Sequence, residues 1–106
     1  MRELFRTINN MDIGGTPAEI DEFKEFKKRV KKTILAMDAT VRGELIRLNK
    51  HHKNTIKHNV MVAHDVEYIA KELKLPPKEQ QALFIAALLH DIGKLDILDI
   101  LLDSTK

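Results

Sequence analysis

Apolar residues fall along this chain mostly in steps of three and four, the spacing that puts side chains on one face of an α-helix. Leu4, Phe5 and Ile8 open a short unit over residues 1–15, which closes in turn-forming residues, Asn9-Asn10 and then Gly14-Gly15. Thr16-Pro17-Ala18-Glu19 then marks a helix start. Threonine caps, proline takes the first helical position, and the glutamate three residues after the cap reaches back to complete a capping box. Ile20, Phe23, Val30, Ile34, Met37, Val41, Leu45 and Leu48 continue as one stripe, with a single gap of seven. Unbroken to about residue 50, such a helix would be roughly 50 Å long. A domain of this length has a radius of gyration of about 13 Å. The helix therefore either bends near Asp38–Gly43 or projects and pairs with a partner.

A third helix is predicted from about Ile56 to Leu73, with Val62, Val66, Ile69 and Leu73 on one face. Pro76-Pro77 ends it and starts the next, over about 77–91. That helix is almost wholly apolar from Ala82 to Leu89, which predicts burial on most sides. Gly93 is the expected stop. Residues 95–103, LDILDILLD, suit a last short amphipathic helix. β-Branched residues follow the helical period and never alternate, so no strand is expected. The fold class is all-α: a bundle of about five helices with a long N-terminal helix. Residues 1–52 read as an N-terminal helical segment serving as dimerisation or linker helix, and 53–106 as the core that carries the chemistry.

Composition narrows this picture only modestly. The 106 residues are 43% hydrophobic and 32% charged, a soluble single-domain profile. There is no cysteine, which excludes disulfides, thiolate metal ligands and cysteine nucleophiles. No apolar run reaches about 18 residues, so no membrane span is expected. The N-terminus, MRELFRTINN, has no apolar signal core, and the expected location is cytoplasmic. A net charge of +2 does not by itself point to nucleic acid. Lys27-Lys28-Arg29 with Lys31-Lys32 could serve as a phosphate-binding patch. No aromatic residue interrupts that run, however, and Glu19, Asp21, Glu22 and Glu25 precede it in the order that suits helix-dipole and i,i+4 pairing. Nucleic acid is not the expected partner.

The candidate chemistry lies at the end of the apolar helix. His90-Asp91 follows Ala86-Ala87-Leu88-Leu89 and precedes Ile92-Gly93-Lys94. Two water-seeking side chains at the end of a buried segment are either a solvated helix cap or a paired or metal-bound site. Imidazole nitrogen with carboxylate oxygen suits Zn, Mn or Fe rather than calcium.

These residues carry a resemblance. AALLHDIGK, residues 86–94, resembles the signature of the HD superfamily of metal-dependent phosphohydrolases, and most closely its HDIG and HD-GYP branches. Upstream, Thr55-Ile56-Lys57-His58 matches the T-x-x-H that carries the family's first histidine ligand, 32 positions before His90. Val62-Ala63, Ile69-Ala70 and Leu73-Lys74-Leu75 match the helix that follows. Ile97-Leu98-Asp99-Ile100-Leu101-Leu102 resembles the family's I-P-D-x-I-L, with leucine in place of proline. The likeness spans about residues 52–103.

The resemblance implies that His58, His90 and Asp91 bind one or two divalent transition metals (Mn, Fe or Zn), with Asp91 bridging where there are two. It implies hydrolysis of a phosphomonoester or phosphodiester in a phosphorylated small molecule or nucleotide, by a metal-activated water. Asp91 and Lys94 would be the catalytic pair, Lys94 pairing with a phosphate oxygen. The family's later aspartate ligand has no counterpart before Lys106, nor has the GYP motif, so activity on cyclic di-GMP is not implied. Asn54 stands where some relatives have a glutamate ligand, and Met61 where an arginine is common. A fragment, a shortened relative, or a chain that borrows ligands from a second copy would each account for this. The alternative function is a non-catalytic regulatory or dimerisation module on the same scaffold, with or without metal.

Asp65 shares the His58 face seven residues on, and with Asn54 is a candidate to orient the ligands. The competing reading of Asp65 is a solvated acid. His64 reads as a packing or surface histidine and His51-His52 as a solvated pair. Asp96, Asp99 and Asp103 read as the wet face of the last segment, or else as a source of the missing carboxylate. The Ile20–Leu48 stripe is either a homo-oligomer seam, through the 17–50 helix, or a cover for the chain's own core.

Overall fold

The structure, a computed structural model, describes residues 1–92. They form five helices and no strand: α1 (Arg2–Asn9), α2 (Pro17–Ala36), α3 (Ala39–His51), α4 (Lys53–Glu72) and α5 (Pro77–Leu89). The all-α class is as expected. The Gly93 stop, the short helix over 95–103 and residues Lys94, Asp96, Asp99 and Asp103 lie outside the described residues.

The start of α2 is the capping box that the sequence predicts. The Glu19 backbone N–H donates to Thr16 Oγ1 at 3.2 Å, and Thr16 N–H donates to Glu19 Oε1 at 3.3 Å. The long helix does not run through to residue 50. Met37 and Asp38 are extended, with ψ of 157° and 144°, and this ends α2. Asp38 then caps α3, its carboxylate accepting from Thr40 N–H at 2.8 Å. From the first turn of α3, Arg42 Nη1 donates back to the Leu35 carbonyl at 2.9 Å, one of the carbonyls a helix end leaves unpaired. The bend expected near Asp38–Gly43 is thus a clean break at residue 38, stabilised on both sides. Gly43 lies within α3, exposed, with open space around it.

One apolar core takes in residues from both sides of position 52. Leu4 and Ile8 of α1, Phe26, Val30 and Ile34 of α2, and Leu45 and Leu48 of α3 meet Ile56, Val60 and Ala63 of α4 and Phe84 and Leu88 of α5. The α2–α3 apolar positions are therefore spent on this chain's own interior. Phe26, which fills the gap of seven in the sequence stripe, is the largest fully buried side chain. Its ring stacks on Phe23 and meets Phe84 edge-on at 5.7 Å, tying α2 to α5.

α4 and α5 form the most extensively packed helix pair. Their link is tight: Leu75 N–H donates to Ala70 O at 3.1 Å and Lys74 N–H to Lys71 O at 3.0 Å, a Schellman closure with Lys74 at φ 55°. The apolar face of α4 is not its buried line, and the burial expected of α5 on most sides is corrected. The buried line of α4 is Ile56, Asn59, Val60, Ala63 and Ala70. Val62 and Val66 are only half-buried, and Ile69 and Leu73 are 55% and 66% exposed. Helix α5 is likewise buried on one side alone, through Phe84, Ala87 and Leu88, with Ala82, Leu83 and Ala86 exposed.

Candidate metal site

The α4–α5 pair brings His58, from the second turn of α4, against His90 and Asp91, just past the end of α5. One ligand atom from each of the three lies within 4.8 Å of the others. The two imidazole ring centres are 5.6 Å apart, and His90 Nε2 lies 3.4 Å from Asp91 Oδ2. Two donors about 2.1 Å from a tetrahedral ion are separated by about 3.4 Å, so that last pair already has the spacing of shared coordination. His58 and His90 are exposed and Asp91 is half-buried, which leaves an open side.

Backbone geometry orients the second histidine. His90 is the C-cap of α5, and its Nδ1 lies 2.6 Å from the Ala87 carbonyl. A carbonyl only accepts, so this bond is donated by Nδ1, which turns Nε2 toward Asp91. Histidine ligands in metal proteins are commonly held this way. Two imidazole nitrogens and a carboxylate suit Mn, Fe or Zn, and three donors can leave a coordination position for water or substrate.

The other candidates fall elsewhere. Asp65 lies on the far side of two helical turns from the cluster, its side chain 72% exposed and its carboxylate 3.8 Å from His64 Nδ1. Asn54 is exposed in the first turn of α4. His64 packs edge-on against Phe23 and Phe26, at 5.5 and 4.9 Å between ring centres. His51 and His52 are exposed at the α3–α4 junction.

The basic run on α2 is largely consumed by the fold. Lys27 Nζ donates to the carbonyls of Asn9 and Met11 at 3.1 and 2.9 Å, and Lys31 Nζ to Asn9 Oδ1 at 2.6 Å. Both lysines thereby cap the C-terminal end of α1, where cations are favoured. Lys28 pairs with Glu25, and Arg29 with Glu67 across to α4. A cleft of about 470 Å³ between α2 and the α4–α5 pair, lined by Arg29, Thr33, Met37, Gln81, Phe84 and others, includes none of the three clustered residues.

Sequence reasoning passed over Asn59. It is 1% exposed, and its Nδ2 donates to the Leu88 carbonyl at 3.2 Å. The available signal was an asparagine on the inner line of α4 between Ile56 and Val60.

Residues 55–105 match the family model described as HD domain, just under half of the chain. The match supports the HD superfamily for this segment and does not select a branch within it. No curated protein and no solved structure gave a significant match. No helix among the described residues is long and apolar enough to cross a membrane.

Proposed function

We propose that the HD-like segment of this chain is the core of a metal-dependent phosphohydrolase acting on a phosphomonoester or phosphodiester. The observation that carries this reading is the convergence of His58, His90 and Asp91 within 4.8 Å on an open face. His58 and His90 offer neutral nitrogens, and Asp91 offers the anionic oxygen. A divalent ion bound there supplies Lewis acidity and lowers the pKa of a coordinated water. The Ala87 carbonyl orients the His90 ring so that Nε2 faces Asp91. Lys94, three positions after Asp91, is proposed to hold a phosphate oxygen.

A second reading is favoured by the donor count. The three protein ligands among the described residues suffice for one ion and fall short for two, which suits a regulatory or dimerisation module without turnover, with or without metal. The hydrolase reading requires metal, so metal content is the first test. Elemental analysis of wild type, His58→Ala and Asp91→Ala, each incubated with Mn, Fe or Zn and desalted, should give about one ion per wild-type chain and none in either variant. A wild type that stays empty with all three metals overturns the hydrolase reading and leaves the module without metal. Hydrolysis of bis(nitrophenyl) phosphate by the loaded wild type then separates hydrolase from module. Activity per chain that rises with protein concentration would mean that ligands come from two copies.

A further inference from the structure

We infer that Asn59 is a positioning residue for the His58–His90–Asp91 group, an inference that rests on the metal reading above. Asn59 follows His58 directly but, about 100° round the helix, points the opposite way, into the core. Its amide nitrogen reaches the Leu88 carbonyl at 3.2 Å, in a fully buried contact. Leu88 is in the last turn of α5, where carbonyls lack partners along their own helix. The contact therefore joins the residue after one ligand to the residue two before the next. It sets the distance and rotation of α4 against the end of α5 at the level of the site.

The other half of this amide argues that packing alone does not explain it. Asn59 Oδ1 is buried and has no hydrogen-bond partner. A buried, unpaired carbonyl oxygen is destabilising, and buried polar atoms are rarely left so. An apolar side chain would fill the same place between Ile56 and Val60 without that orphan. What it would lack is a directional tie to Leu88, because dispersion contacts tolerate sliding and rotation that a hydrogen bond does not. Closing a three-ligand site needs its donors held to within a fraction of an ångström, since a loose site loses affinity without losing its fold.

The test compares wild type with Asn59→Leu and Asn59→Ala. Three readouts are followed: thermal unfolding of the metal-free proteins, the nuclear Overhauser effect between the His58 and His90 rings, and titration with Zn and with Co, whose visible spectrum reports ligand geometry. Both variants should unfold within a few degrees of wild type, lose the ring-to-ring effect, bind Zn roughly ten- to a hundredfold more weakly and show an altered Co spectrum. Folded variants that keep the ring contact, affinity and spectrum overturn the inference. Should Asn59→Leu fail to fold, Asn59→Ala decides, and if neither folds Asn59 is a folding residue and the inference falls. If the ring contact is lost in the variants while wild type takes up no metal, the positioning role stands and the metal reading fails.

Discussion

Two groups of polar residues stand out in this chain, and the fold treats them in opposite ways. On α2, four of the five cations of residues 27–32 bond or pair within the chain itself. Lys27 and Lys31 cap α1, Lys28 pairs with Glu25 and Arg29 with Glu67. At the end of α5, His58, His90 and Asp91 instead meet each other, and the side-chain bond of His90 Nδ1 to the Ala87 carbonyl turns its other ring nitrogen toward Asp91. A charged run whose hydrogen bonds close within the fold is doing structural work. Donor atoms that converge with capacity left over are what a ligand requires.

That contrast predicts that damage on α2 should cost stability and spare the metal site. Phe26→Ala has the largest expected effect, because it empties the fully buried contact among Phe23, Phe84 and α2. Loss of about 3–5 kcal/mol is expected in denaturant unfolding, with metal stoichiometry of the folded fraction unchanged. A parallel loss of metal would mean that α2 supports the site and the two regions are not separate. Lys27→Met should cost less, about 1–2 kcal/mol, since it removes two charge-assisted bonds to the Asn9 and Met11 carbonyls and the ammonium's place over the Phe23 ring. If Lys27→Met left stability untouched and instead abolished binding of a polyanion, the basic run would be a surface patch after all. The smallest effect is a gain. Gly43→Ala, in a helix with open space at that position, should raise stability by about 0.5–1 kcal/mol without touching metal binding. A loss would mean that the α2–α3 break needs backbone freedom at residue 43 as well as the Asp38 cap.

Much of the helical framework is local chemistry and could be read directly. Thr16-Pro17-Ala18-Glu19 encodes the start of α2 because a capping box involves only neighbouring groups. Pro76-Pro77 separates α4 from α5 because proline lacks the N–H a helix interior needs. The three members of the cluster lie in the T-x-x-H and HDIGK stretches, which carry the resemblance in the sequence.

What the linear pattern misjudged was which side faces in. Ile69 and Leu73 share the apolar face of α4 and are exposed, whereas Ala63 and Ala70 are buried. Burial depends on which neighbour arrives and how near it comes, which the helical period does not carry. The long apolar stripe held both a continuous helix and a broken one. The break was decided by Asp38 capping α3 and by Arg42 reaching back to Leu35.

The sequence by itself determined the starts of α2 and α5, the all-α class and the identities of His58, His90 and Asp91, because capping, proline geometry and ligand chemistry belong to individual residues and their near neighbours. Only the tertiary structure decided that these three donors converge, that Lys27 and Lys31 are occupied by α1, and that Asn59 ties His58 to the end of α5. Each of those depends on atoms 16 to 33 positions apart in the chain, and their separation is set by helix packing rather than by any local preference.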